Sequence, residues 1–169
     1  MSISKINAFC NYINHNIIKD NNTKFILNDD HIKSDIKSDI KSHIKYLIST
    51  KNPQISINDM IKDILKNIIC NAEDIDNVIL YTVNLINNIK IKGIYLNYLT
   101  THRILLISIL LACKICNDEH YDNKTWANMS GLEIIDINKM EITILKLFDF
   151  NLLVIMTPEK SLAIYKSIY

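Results

Sequence analysis

The segment from Thr101 to Cys116 would carry apolar side chains on nearly every face of a helix. Such a helix must be surrounded by other elements, because its apolar side chains would otherwise contact water. Its most apolar stretch, Ile104 to Cys116, is shorter than the ~20 residues that a membrane span requires, and it contains Lys114. The segment therefore predicts the buried central helix of a helical bundle.

The rest of the chain also favours helices. Its 169 residues include only 2 Gly and 2 Pro, whereas β-sandwiches and β-barrels need these residues at their corners. The sequence contains no glycine-rich phosphate-binding loop. It also lacks the alternation of strands and helices that is typical of a parallel sheet. We therefore predict an all-α fold.

Helix boundaries can be placed from capping residues. Ser56 and Asp59 resemble a capping box that follows a break at Asn52-Pro53. Asn71 is expected to cap a helix that ends near Asn88, and Thr100 or Thr101 to cap the central helix. Further helices are predicted at three places: Lys124–Met129, a helix opened by the capping box Ser130–Glu133 and ending at Phe148, and a last helix at Thr157-Pro158.

The N-terminal third is repetitive. Residues 2–19 have the pattern of a moderately amphipathic helix, and residues 20–30 are expected to form a polar loop. The following run, His31 to Tyr46, places isoleucines four residues apart, at Ile32, Ile36, Ile40 and Ile44. Because this spacing is close to the helical repeat, it predicts a helix packed through one apolar edge. A coiled-coil partner site is the alternative, although the repeat is not a heptad.

The charge balance argues against some classes of partner. The net charge is +1, so we expect neither nucleic acid nor a membrane surface as a partner. The N-terminus has no sustained apolar stretch of the kind found in secretory signals. The four cysteines then fit a reducing compartment, and we expect an intracellular protein.

A possible zinc motif lies at the end of the central helix. Cys113, Cys116 and His120 have the spacing C-x2-C-x3-H. A closed structural zinc site needs a fourth ligand, and no second paired motif follows. Nothing marks either cysteine as an activated nucleophile. We therefore expect no metal site here, and we keep a metal or thiol enzyme as a minor alternative.

Two charged residues lie where amphipathic helices should be apolar. Lys114 is at the end of the central helix, and Glu141 lies beside the apolar stripe of a later helix, between Ile137 and Leu145. A half-buried ion needs a partner or contact with water. One interpretation is that Lys114 complements the helix dipole while Glu141 extends into solvent. The other is that both face a shared groove and bind the backbone of a partner. Independently of these two interpretations, their opposite signs would allow them to pair with each other.

Short motifs follow one another in a fixed order along residues 102–152. The series begins with His102-Arg103 and the step Ala112-Cys113-Lys114. It continues with an acidic pair, Asp118-Glu119, then Tyr121, Asn123, Trp126-Ala127 and a small-residue pair, Ser130-Gly131. An Asn-x-Met-Glu step, Asn138–Glu141, and three apolar positions, Phe148, Phe150 and Leu152, complete the series. Together with the lead-in at residues 53–57, the series resembles the cyclin box, and among cyclins the P/U (phosphate-regulation) type.

The resemblance implies an all-α fold, a five-helix cyclin box whose third helix is buried, with extra N-terminal helices and a C-terminal helix. It also implies a cyclin, a regulatory subunit that binds and activates a cyclin-dependent protein kinase by docking on its C helix. In the family, the Lys of the A-x-K step and the following Glu form a polar pair at the kinase interface, which here are Lys114 and Glu141. The apolar residues that contact the kinase in the family fall on Leu111, Ile115, Leu145, Phe150 and Leu152.

The resemblance covers about residues 53–154. We therefore divide the chain into an N-terminal helical extension, 1–50, and a cyclin box with a C-terminal helix, 51–169. The implied protein is not an enzyme, has no cofactor or small-molecule substrate, and is cytoplasmic, nuclear or both. Two alternatives remain: a cyclin-fold scaffold that binds a kinase or another protein without activating it, and a nucleic-acid-associated cyclin-like fold, which would usually carry two repeats and basic faces.

Overall fold

The structure, a computed structural model, describes residues 3–17, 38–51, 53–68, 72–152 and 157–169. Within these ranges the chain forms eight α-helices and no strand, which confirms the all-α prediction. In chain order the helices are α1 (Ile3–Tyr12), α2 (Ser38–Ile44), α3 (Ile57–Asn67), α4 (Ala72–Ile91), α5 (Thr101–Cys116), α6 (Asn123–Ser130), α7 (Ile134–Leu147) and α8 (Pro158–Ile168).

Helix α5 is the centre of the molecule, as its sequence predicts. Every residue from Ile104 to Cys113 is buried. Helix α4 packs along α5 over the most extensive helix–helix contact among the described residues, and α7 packs against α5 as well. The apolar faces of α5 are thereby covered, as a helix of this composition requires.

The N-terminal helices belong to the same apolar core as this bundle. Phe9, Ile13 and Leu47 are completely buried, and Ile44 is nearly so. Helix α1 packs against α3, and α2 packs against α7. The division of the chain at residue 50 stays a prediction, although apolar side chains on both sides of it share one core.

Some of the capping predictions are confirmed by the geometry. Ser56 Oγ accepts a hydrogen bond from the Asp59 N–H at 3.1 Å and donates to the Asp59 carboxylate at 2.7 Å. Thr157 Oγ1 accepts from the Lys160 N–H at 3.4 Å at the start of α8. These bonds satisfy amide groups that have no partner inside their own helix.

One other capping prediction is wrong, and one is correct in position only. Ser130 does not open α7, because it is still the last residue of α6, where its hydroxyl donates to the Ala127 carbonyl oxygen. Gly131, at φ +69°, ends α6, and the cap position of α7 is Glu133, whose side chain makes no capping bond. Thr100 is the cap residue of α5, as predicted, but its hydroxyl makes no capping bond and donates instead to the Tyr95 carbonyl oxygen at 2.9 Å.

Other predicted boundaries shift or cannot be followed. Helix α4 continues to Ile91, beyond the predicted Asn88, and α1 is followed by a π-helical turn at Ile13–Ile17. In the isoleucine repeat, Ile40 is buried in α2, as the predicted apolar edge requires. The loop 20–30, the first half of the repeat and the cap at Asn71 lie outside the described residues.

Arg103, the one arginine of the sequence, connects three parts of the fold. It lies on α5, and its side chain is 13% exposed. One guanidinium nitrogen donates to the Tyr46 carbonyl oxygen at 2.9 Å, and another donates to the Asp136 carboxylate on α7 at 3.1 Å. The segment after α2 and the first turn of α7 are thereby held to the central helix.

Candidate functional site

The two charged residues that the sequence singled out form an ion pair. Lys114, in the last turn of α5, donates from Nζ to Glu141 Oε1 on α7 at 2.7 Å. The two side chains are 24% and 16% exposed, so the pair lies at the protein surface but is partly withdrawn from water. The two charges therefore pair, as their opposite signs allow, and their binding to a partner stays a prediction.

An asparagine from a third helix contacts both charges, and the sequence reasoning gave it no role. Asn123 Oδ1 accepts from Lys114 Nζ at 2.8 Å, and Asn123 Nδ2 donates to Glu141 Oε2 at 2.6 Å. The same Nδ2 donates to Asn138 Oδ1 on α7 at 2.7 Å. We call Lys114, Asn123 and Glu141 the polar triad. The motif series contained Asn123, but spacing alone could not show which charges it would meet.

The start of α6 places Asn123 in this position. Asp122 is the cap residue of the helix, and its carboxylate accepts from the Thr125 N–H at 2.8 Å and from the Thr125 hydroxyl at 2.7 Å. These hydrogen bonds to the ionised form lower the pKa of Asp122. Since Asn123 is the first residue of α6, the cap that begins the helix also orients the asparagine toward the pair.

The apolar residues predicted to contact a kinase differ in exposure. Leu111 and Leu152 are buried, at 3% and 5% exposure, whereas Ile115 and Leu145 are partly buried and packed against the core. Leu111 lies one turn before Lys114 on α5, and Leu145 lies one turn after Glu141 on α7, so each shares a helix face with a charge of the triad. Their role in binding stays a prediction.

Phe150 is the most exposed member of this apolar set, at 62%. It follows α7, and both Asp149 and Phe150 have left-handed backbones, at φ 49° and 60°. The Phe150 N–H donates to the Leu145 carbonyl oxygen at 2.8 Å, which closes the end of the helix. A left-handed conformation is unfavourable for an aromatic residue, and here it accompanies an aromatic ring held in solvent.

The possible zinc motif is not assembled. Cys113 is buried in α5, Cys116 is half-buried and His120 is exposed in the following loop. Across the part of the chain that the structure describes, no group of three or more His, Cys, Asp or Glu side chains is arranged to hold a metal ion. Within the same residues, no helix combines the length and hydropathy needed to cross a membrane.

Comparison with known families identifies this arrangement. A family model described as Cyclin matches residues 3–152. The chain belongs to the cyclin family. The match extends through α1 to α7, so in this cyclin the N-terminal helices lie within the matched region and α8 lies beyond it.

Cyclins of the U and P types are among the relatives. This cyclin is 41% identical over 56 residues to Cyclin-U1-1 of Arabidopsis thaliana, which is 33% of this chain and 27% of the relative. It is 30% identical over 59 residues to Cyclin-P3-1 of Oryza sativa subsp. japonica, 35% and 25% of the two chains. It is 27% identical over 109 residues to the PHO85 cyclin-like protein psl1 of Schizosaccharomyces pombe, 64% and 44% of the two chains.

These matches confirm the resemblance to P/U-type cyclins. In each of the three, the chain spans less than half of the relative's length. The family assignment therefore applies to the matched residues, 3–152, and the partner and the activity of this cyclin are proposals.

Proposed function

We propose that this cyclin is a regulatory subunit that binds a cyclin-dependent protein kinase and activates it by docking on the kinase C helix. The observation that carries the proposal is the polar triad, in which Lys114 and Glu141 are paired at 2.7 Å at the surface of the box. One relative is named a PHO85 cyclin-like protein, and a PHO85-type kinase is accordingly the first partner to test.

The bonding capacity of the triad suits the main chain of a partner. The Lys114 ammonium has three donors, and among the described residues it uses two of them, toward Glu141 and Asn123. Each carboxylate oxygen of Glu141 accepts one bond and can accept another. The triad can thus offer one donor and two acceptors to carbonyl and amide groups at the end of a kinase helix.

The apolar residues beside the triad would supply contact area. Phe150 presents an exposed ring, and Ile115 and Leu145 are partly exposed. Aromatic side chains near the centre of an interface often contribute most of its binding energy. The charged pair would then fix the register of the kinase helix against this apolar surface. Buried Leu111 and Leu152 would support that surface from within the box.

Activation would be a shift between kinase conformations and would require no chemistry from the cyclin. A kinase is active when its C helix is close enough for the helix glutamate to pair with the lysine of strand β3. A cyclin that binds this conformation more tightly than the alternative raises its population by the ratio of the two affinities. We therefore propose a regulatory role without catalytic activity, within the cytoplasm or nucleus where such kinases act.

Removal of both charges tests the proposal. The double variant Lys114→Ala/Glu141→Ala should keep the helical content, because both side chains reach the surface. Its affinity for the kinase should fall about 30-fold, the ~2 kcal/mol typical of an interface hot spot. The measurement uses the full chain, a panel of purified cyclin-dependent kinases that includes a PHO85-type kinase, and a histone phosphorylation assay.

A matched control removes the same charges elsewhere. Lys124→Ala/Glu159→Ala changes two exposed residues of opposite sign and should leave binding unchanged. A kinase that binds without gaining activity would favour the scaffold alternative. If no kinase in the panel binds the wild-type chain, the proposed function is wrong, and if the double variant loses its helical content, the pair is a structural brace.

A further inference from the structure

The central feature of the polar triad is the amide group of Asn123, whose hydrogen bonds with neighbouring side chains use both ends. Its oxygen accepts from Lys114 at 2.8 Å, and its nitrogen donates one bond to Glu141 at 2.6 Å and one to Asn138 at 2.7 Å. A primary amide has two N–H donors, and both are used here. Few other rotamers of this side chain are compatible with all three bonds.

The chemistry of the neighbours fixes the direction of the amide. If the oxygen and nitrogen exchanged places, an NH₂ group would face the Lys114 ammonium and an oxygen would face the Glu141 carboxylate. Both contacts would be repulsive at the observed separations of 2.8 and 2.6 Å. Only the orientation that is present satisfies a cation on one side and an anion on the other.

Such a bridge has a consequence for binding. Lysine and glutamate side chains lose rotamer freedom when an interface holds them in one geometry, and this loss of entropy weakens the binding of a partner. Asn123 already restrains both of them in the free chain. A partner that recognises the pair would therefore bind side chains that are already ordered in the free chain, and binding would cost less side-chain entropy.

We propose that Asn123 is a positioning residue that holds Lys114 and Glu141 in the orientation that a kinase recognises. The inference rests on the proposed function and assigns a specific residue to it. Asn123 need not contact the kinase itself, because its effect passes through the two charges. A purely structural role at the start of α6 is a different hypothesis, and the two can be separated by the choice of substitution.

Asn123→Asp is the informative variant. It keeps the size and shape of the side chain but places an oxygen, in place of the N–H donor, against Glu141 Oε2. An acidic residue is favourable in the first turn of a helix, so α6 should not be weakened. We expect unchanged helical content and a loss of the fixed Glu141 geometry, because two carboxylates in contact repel each other. Affinity for the kinase should fall about 10-fold.

A second substitution should restore the network. In Asn123→Asp/Glu141→Gln the donor and the acceptor are exchanged, because the glutamine NH₂ can donate to the new carboxylate. The Lys114 ammonium then still meets one carboxylate and one amide oxygen. We expect the double variant to bind the kinase more tightly than Asn123→Asp but less tightly than wild type, because the glutamine has lost one of the two acceptors that Glu141 offers a kinase.

The order of Lys114 can be read in the free chain by NMR. An ammonium held by hydrogen bonds gives a resolved ¹H–¹⁵N signal, which is assigned by its absence in Lys114→Gln. The signal should be present in the wild type, displaced in Asn123→Asp, where a carboxylate replaces the amide oxygen that Lys114 contacts, and returned toward the wild-type position in the double variant. Asn128→Asp changes an exposed asparagine on the same helix and should affect neither the signal nor the affinity.

The outcomes separate this inference from the proposed function. If no kinase binds the wild-type chain, the proposed function fails, and the positioning role in kinase recognition fails with it even where the NMR pattern is as expected. If a kinase binds wild type and Asn123→Asp equally well, only the inference is overturned. A displaced Lys114 signal without loss of affinity would overturn it as well. Failure of the double variant to bind more tightly than Asn123→Asp would also overturn it, in favour of direct contact by Asn123.

Discussion

The hydroxyl group of Tyr81 on α4 donates a 2.5 Å hydrogen bond to the main-chain oxygen of Leu152, two residues after the exposed Phe150. Tyr81 is only 3% exposed. Burial, together with a smaller effect of Cys116, raises the pKa of Tyr81 to about 12. The hydroxyl thus remains a donor at physiological pH, and α4 anchors the main chain that carries two predicted kinase contacts.

Tyr81→Phe should loosen this anchor. The change leaves the Leu152 carbonyl oxygen without its donor, and a buried unpaired acceptor costs about 1–3 kcal/mol. We expect the free energy of unfolding to fall by that amount in urea denaturation at neutral pH. Tyr98→Phe, at a residue that is 66% exposed, is the control and should lie within about 0.5 kcal/mol of wild type.

The same tyrosine predicts how stability depends on pH. Because the pKa is near 10 in the unfolded chain and about 12 in the folded chain, the folded state holds its proton to higher pH. The contribution is complete below pH ~10 and is lost as pH rises toward ~12. Stability of the wild type should therefore fall more steeply over this range than that of Tyr81→Phe, and equal slopes would contradict the assignment.

Exchange of the two paired charges tests whether a kinase recognises them or whether they only stabilise the box. Lys114→Glu/Glu141→Lys keeps an ion pair, and the Asn123 amide can turn to face the exchanged partners. The unfavourable charge at the end of α5 should lower the free energy of unfolding by about 1 kcal/mol or less. Kinase binding should nevertheless fall about 30-fold, since the donor and acceptors exchange places. Retained affinity would show that the pair only braces the box.

Phe150 predicts an opposite effect on stability and binding. Phe150→Gly removes a left-handed aromatic residue at φ 60°, and relief of this strain should raise the free energy of unfolding by about 1 kcal/mol. Loss of the exposed ring should weaken kinase binding by roughly 10-fold or more. Asp149→Gly at the neighbouring left-handed position is the matched control and should leave binding unaltered. Unfolding in urea and affinity for the kinase are measured for both variants.

Leu47 tests whether the N-terminal segment is part of the cooperative fold. Its side chain is completely buried, so Leu47→Ala should cost about 2–5 kcal/mol. Ile3→Ala, at a residue that is 69% exposed, should cost less than about 0.5 kcal/mol. A single unfolding transition shifted to lower urea would join this segment to the box. A separate early transition would instead support the predicted division at residue 50.

The sequence could predict those features that depend on composition or local pattern. The apolar faces of Thr101–Cys116 required burial, and α5 is the central helix. Lys114 and Glu141 were conspicuous because each charge interrupts an apolar pattern, and the two residues are paired. In both cases the residue type conflicts with the expected environment, because an apolar face would contact water or a charge would lie among apolar residues. Burial of the helix and pairing of the charges remove these conflicts, which is why the predictions succeed.

Features that depend on relative helix positions could not be predicted in the same way. Asn123 is a polar residue in a polar stretch of sequence, so no local pattern singles it out. Its contacts with both charges exist only once α5, α6 and α7 are packed together. The bond from Tyr81 to Leu152 spans 71 positions and leaves no local signal. The capping prediction at Ser130 failed because Gly131 ends one helix just where a second helix was expected to begin.

Arg103 has a consequence for how this sequence can change. With 18 lysines and one arginine, the composition indicates mutation toward AT-rich codons, a drift that tends to replace arginine by lysine. At Arg103 one flat group reaches the Tyr46 main chain and Asp136 through different nitrogens. A lysine would lack this planar fork and could reach both acceptors only through one nitrogen. Arg103 thus occupies a position where replacement by lysine would cost the fold a fork-shaped contact.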